Sequence, residues 1–247
     1  MRRAALPLAV ALLAAPVSAQ DATTLWQRFE RPAADARPVV RWWWFGPAVD
    51  DAELTREIAA MKAGGFGGFE VQPTYPLSPD GDLPGVRNQA YLSDAFLASL
   101  RHAGVRAGAE EMRIDVTIGS GWPFGGPHVP VSQASADLRR IAVTIPAGAD
   151  RAKLPGWGPG ERPVALFVDG IRLSPDAVLR PAAGERKGFL FVAGRTGQQV
   201  KRPSLAAEGY VLDHASAAAV GTHLGQVGDR LLSAFRGMAP PTAMFSD

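Results

Sequence analysis

Between Val39 and Ile118 the sequence runs strand, helix, strand, helix, strand with short connections. That order commits this part of the chain to parallel βαβ units. The first β-rich run, Pro38-Val39-Val40-Arg41-Trp42-Trp43-Trp44, ends at Gly46-Pro47. Asp50 is placed to cap a helix, Glu53 stands where a capping box needs it, and Leu54, Ile58 and Met61 follow at helical spacing until Gly64-Gly65. Gly67-Gly68-Phe69-Glu70-Val71-Gln72 reads as the second strand, closed by Pro73. Ser93 heads a second helix carrying Phe96, Leu97, Leu100 and Ala103 on one face, and the third strand covers Arg113 to Ile118. A doubly wound sheet and a barrel share this rhythm, and periodicity does not separate them.

From Arg139 the rhythm changes. Ile141 to Ile145, Val164 to Val168 and Phe189 to Val192 are short β-runs among Pro- and Gly-rich turns, and Asp169-Gly170 is a hairpin turn pair. This predicts a small antiparallel β module inserted in an α/β body. Helical pattern returns from Ser216 to Phe235, and Thr242 to Asp247 reads as one more strand. The expected organisation is a leader over 1–19, the first βα units over 20–137, the β-rich insertion over 138–197 and a continuation of the body over 198–247.

The first residues have the form of an export signal. Arg2 and Arg3 precede an apolar stretch from Ala4 to Ala15, and Val17-Ser18-Ala19 supplies the small residues that a signal peptidase reads. Cleavage after Ala19 leaves Gln20 first and puts the mature chain in the periplasm or outside the cell. The apolar stretch is too short to remain as an anchor, and no later segment reads as a membrane span. Cysteine is absent, which excludes disulfides and thiolate chemistry. A net charge of +2, with no basic stripe, argues against nucleic acid as a partner. The four histidines form no HxH or HExxH pattern, so no metal site is assigned.

Strand alternation sorts the candidate site residues by face. Glu70 and Gln72 share one face of the second strand, and Asp115 and Thr117 share one face of the third, opposite the apolar positions. These polar side chains point into a barrel interior or toward strand ends, where acidic and amide groups would bind sugar hydroxyls. Structural pairing of Glu70 and Asp115 is the competing reading. Trp42 and Trp44 share one side and Trp43 takes the other. Trp44 and Trp122 are the candidates for stacking on a sugar ring. The glycine-rich run from Gly119 to Gly126 fails as a phosphate loop, because Phe124 takes the third glycine position and no lysine follows. Asp213, ahead of the helix at Ser216, is a cap or a pocket-rim residue.

Taken together, Arg41-Trp42-Trp43-Trp44 with Gly46, the run Ala63 to Gln72, and Gly119-Ser120-Gly121-Trp122-Pro123-Phe124-Gly125-Gly126-Pro127 resemble the N-terminal signatures of the glycoside hydrolase family 106 α-L-rhamnosidases. Gly209 to His214 and Phe245-Ser246-Asp247 resemble later blocks in the same order. The resemblance implies a (β/α)8 TIM-type barrel with β-rich insertions, exported by bacteria that degrade plant glycans. It also implies inverting hydrolysis of terminal α-L-rhamnosyl residues by two carboxylates. Calcium near the substrate is a family feature, and a rhamnose-containing glycan is the implied partner. Family members are several times longer, and their acid and base glutamates follow the block like Phe245-Ser246-Asp247. No residue of this chain inherits a catalytic role, and the chain alone is expected to be inactive. Trp44, Glu70, Gln72, Asp115, Trp122 and Asp213 are the candidate substrate-binding residues. The rivals are a non-catalytic carbohydrate-binding protein of the periplasm and an exported scaffold without a ligand. The scaffold is favoured if Glu70 and Asp115 are held by structural partners.

Overall fold

The alternation around the tryptophan run becomes one parallel sheet in a computed structural model that describes residues 19–158 and 160–246. The leader expected over 1–19 lies outside the described residues apart from Ala19, and so does Asp247. The polar stretch after it contains a helix, α1 (Ala19–Glu30), whose Leu25, Trp26 and Phe29 are exposed. Then come β1 (Val39–Phe45), α2 (Asp51–Ala63), β2 (Gly68–Thr74), α3 (Asp94–Ala109) and β3 (Arg113–Thr117). Asp50 caps α2 by accepting from the Ala52 and Glu53 amides, but Glu53 turns to Arg56 instead of completing the box. Ser93 caps α3 through the Phe96 amide. β2 runs past Pro73 to Thr74, because only β1 pairs with it there and the missing N–H is not needed by β3.

The chain continues through β4 (Gly125–Gly126), β5 (Ala136–Ile145), β6 (Arg162–Val168), β7 (Ile171–Leu173), β8 (Arg186–Arg195) and β9 (Tyr210–Val211). α4 (Ala217–His223) passes through a π-turn into α5 (Asp229–Ser233), and β10 (Met244–Phe245) follows. β5, β8, β6 and β7 form an antiparallel sheet in that order, with its own core of Val143, Ile145, Leu166, Val168, Leu190 and Val192. Asp169 and Gly170, at φ 52° and 78°, make the tight β6–β7 turn.

The parallel sheet has the order β1-β2-β3-β10. Each crossover therefore steps the same way. Since such crossovers are right-handed, their helices fall on one face of the sheet. That face carries Trp44, Phe69, Val71, Ile114 and Val116, in one core with Leu54 and Ile58 of α2, Phe96 and Leu100 of α3, and Leu231 of α5. A doubly wound sheet would reverse direction and bury both faces. The described residues supply four parallel strands in an open sheet, without the closure that the family resemblance implies. No described helix is long and apolar enough to cross a membrane.

Candidate functional site

Unidirectional winding puts α2, α3 and α5 on one face of the parallel sheet and leaves the second face uncovered by them. Register fixes which side chains share it. Arg41, Glu70 and Asp115 are cross-strand neighbours, Trp43 lies opposite Gln72, and Phe245 lies opposite Thr117. The face is polar because alternation places these residues away from the core beneath the helices.

At its centre, the Thr117 hydroxyl stands 2.6 Å from Glu70 Oε1 and 2.8 Å from buried Gln72 Oε1, its single proton shared between two acceptors. The Gln72 amide donates to the Pro73 carbonyl. Arg41 donates to Glu70 Oε2 at 3.1 Å and lays its guanidinium 4.2 Å from the Phe245 ring centroid. Toward the carboxyl ends of the strands, Trp43 meets Trp122 edge-on, with ring centroids 5.4 Å apart.

Trp122 is held in place by backbone. Its N–H donates to the Lys201 carbonyl at 2.9 Å, and the Lys201 N–H donates back at 2.8 Å. Beside it the Ser204 hydroxyl donates to the Thr74 carbonyl, and the Ser204 N–H donates to Ser120 Oγ. Gly125 passes so close to β9 that a Cβ there would sit 2.0 Å from the Tyr210 carbonyl oxygen. The segment around 199–211 thus laces the loops after β2 and β3 together.

Two of the expected site residues belong elsewhere. Trp44 is 1% exposed and packs edge-on against Trp42 and Phe96 beneath the helices. It is Trp43, 41% exposed, that reaches the open face. Alternation had already separated the two, but nothing local says which side the helices cover. Asp213 accepts from the Ala215 amide and pairs with Arg195 of β8 at 3.3 Å, so it caps the turn into α4 and ties the antiparallel sheet down. None of its hydrogen bonds or ion pairs reaches the Glu70 cluster.

Glu70, Gln72, Asp115 and Trp122 do share the open side, but the two carboxylates are occupied. Arg113 and the Ala243 amide hold Asp115, just as Arg41 and Thr117 hold Glu70. This is the pairing that a scaffold would show. The accessible groups are Trp43, Arg41 and the half-buried Trp122. Sequence reasoning passed over Arg41 and Trp43, whose only signal was their alternation with Trp42 and Trp44. Calcium does not fit this face, because its two carboxylates already neutralise arginines. No group of three metal-ligating side chains exists among the described residues.

A histidine pair stands behind the glycine-rich loop. His223 Nε2 donates to the Ile118 carbonyl at 2.6 Å, which leaves its Nδ1 to accept from His128 Nε2 at 2.9 Å. Burial, then the neighbouring His223, lowers His128 from its ordinary 6.5 to about 4. Burial also lowers His223, against the opposing effect of its Ile118 hydrogen bond. The pair fastens α4 to the end of β3.

No family model and no curated protein sequence matches the chain. Among solved structures, the fold is similar to that of a rhamnosidase from Novosphingobium sp. PP1Y, with a TM-score of 0.59 and 13% identity. The match covers 85% of this chain and 38% of the rhamnosidase, so this chain spans well under half of that protein's length. At that identity the likeness is one of fold.

Proposed function

We propose that this chain forms the N-terminal arc of a glycoside hydrolase barrel that acts on terminal α-L-rhamnosyl residues, exported through its N-terminal leader. The supporting observation is the polar face opposite α2, α3 and α5, where Trp43 and Trp122 stand beside Arg41, Glu70, Gln72 and Thr117. Unidirectional winding gives an open sheet the topology of a barrel sector, in which such a face points inward. The residues 136–195 are then an insertion between barrel elements. A pyranose would lie against the exposed Trp43 ring, and Arg41 would donate to its hydroxyls.

Inverting hydrolysis needs one carboxyl to protonate the leaving oxygen and a second, across the sugar, to activate water. Glu70 and Asp115 are each held by an arginine and a further donor. That pairing argues against turnover by this chain alone and is what a ligand-free scaffold would show; sugar binding rests instead on the exposed Trp43 ring beside Trp122. Calorimetry with L-rhamnose, beside an assay of aryl α-L-rhamnoside turnover, tests the reading. Rhamnose binding that is lost in Trp43→Ala, with no turnover, is the expected result. Absence of binding, or binding indifferent to Trp43, would refute the sugar-facing role of this face.

A further inference from the structure

The antiparallel sheet has an outer surface whose composition departs from what an open antiparallel sheet shows. One face packs on Leu166, Val168, Leu190 and Val192, and the other should be polar. Instead, the outward positions are Phe167, Phe189 and Phe191. Phe167 pairs with Phe189 across β6 and β8, and Ala165 pairs with Phe191. Cross-strand neighbours stand about 5 Å apart, so the three rings make an aromatic floor about 10 Å wide. Phe189 is 42% exposed, and Phe167 meets Phe191 edge-on at 5.4 Å.

The rim of this floor is basic. Arg172 extends the row beyond Phe167, Arg140 pairs with Phe191 on the other side, and Lys187 stands on the same face opposite Thr144. The Arg140 guanidinium lies 4.7 Å from the Phe189 centroid. Among the described residues, no side-chain hydrogen bond or ion pair engages Arg140, Arg172 or Lys187. The nearby acid, Asp169, is paired with Arg186 at 3.8 Å. A cavity of about 330 Å³ opens here, lined by Arg140, Phe167, Lys187, Phe189 and Phe191 and, at the β6–β7 turn, by Asp169. An exposed Phe189 ring flanked by the half-buried Phe167 and Phe191, with cations on both sides, calls for a ligand with an apolar face and regularly spaced negative charge.

We infer that this surface binds an acidic polysaccharide, a chain of pyranose rings bearing carboxylates. The C–H face of each ring would rest on the phenylalanines, whose ring faces are electron-rich, and its carboxylates would reach Arg140, Arg172 and Lys187. The choice of a glycan over another anionic polymer rests on the proposed hydrolase function. The surface is separate from the parallel sheet and would hold a charged polymer while the other face engages a sugar end.

The test is affinity electrophoresis of the full chain in gels containing polygalacturonate, with neutral dextran and single-stranded oligothymidylate as comparisons. Retardation by polygalacturonate alone is expected, falling as salt rises. Phe189→Ala and Arg140→Glu should each weaken it about tenfold while leaving circular dichroism unchanged. Trp43→Ala should leave polygalacturonate retardation intact, which separates this surface from the rhamnose site measured by calorimetry. Equal retardation in dextran, preference for oligothymidylate, or indifference to both substitutions would overturn the inference.

Discussion

Replacing Trp44 with alanine is the sharpest test of which way the tryptophan run faces. Its indole is 1% exposed and sits 5.5 Å from Trp42 and 6.0 Å from Phe96 between ring centroids. Emptying such a position costs about 3–5 kcal/mol, from lost transfer energy and the cavity left behind. One contribution opposes this. Trp44 Nε1 is buried without an acceptor among the described residues, and deleting an unsatisfied donor recovers about 1–3 kcal/mol. The net loss should be about 2 kcal/mol, the difference between the middles of those two ranges. Trp44→Phe keeps most of the ring and drops the orphaned donor, so it should stay within about 1 kcal/mol of the parent. Trp43→Ala removes a ring on the open face whose neighbours are Phe45, Trp122 and the Arg41 guanidinium, at a cost below about 1 kcal/mol. Urea unfolding followed by far-ultraviolet circular dichroism reads all three. With a slope of about 2–3 kcal/mol/M, Trp44→Ala lowers the midpoint by about 1 M and the other two by less than about 0.5 M. A Trp43→Ala variant as unstable as Trp44→Ala would mean that the faces are assigned the wrong way round.

Other outcomes follow from the same geometry. Asp115→Ala leaves the Ala243 amide without its acceptor and should cost about 1–2 kcal/mol. Amide exchange should then quicken at Val116 and Ile118, whose N–H groups donate to Ala243 and Phe245 in the β10 region. The His128–His223 pair makes stability depend on pH. Folding lowers His128 from 6.5 to about 4, so the unfolded chain binds more protons across that window, and stability present above 6.5 is lost as pH falls toward 4. Thermal unfolding at stepped pH should show this decline, and His128→Gln should flatten it; a parent curve level from 6.5 to 4 would refute the burial argument. Gly125→Ala sets a Cβ against the Tyr210 carbonyl and should cost about 1–3 kcal/mol, measured by the same urea transition. An unchanged midpoint would mean that the lacing segment yields freely.

How much was legible in the sequence differs by element. Asp50 and Ser93 announced their helices because capping is a local hydrogen bond within a few residues. The Asp169-Gly170 turn was legible for the same reason: tight hairpins need positive φ at both central positions. α1 was missed, since its polar composition hid a helical repeat, and β7 was too short to register. At the candidate site, alternation correctly grouped Glu70 with Gln72 and Asp115 with Thr117. It did not reveal that an arginine occupies Glu70, because Arg41 lies 29 residues away and becomes its neighbour only through strand pairing; the Arg113–Asp115 pair, two residues apart on one strand face, was local and was passed over.

Local order along the chain was enough to determine that β-strands and helices alternate, where short strands of an antiparallel sheet begin, and which side chains travel together on one side of a strand. Those properties depend on dihedral preferences and on the two-residue repeat of a strand. Tertiary structure decided the direction of winding, and with it the face that the helices bury. That choice consigned Trp44 to the core, left Trp43 at the open surface and turned Asp213 into a tie for Arg195. Such outcomes come from packing between segments far apart in sequence, where the free energy of covering one face depends on every element that covers it.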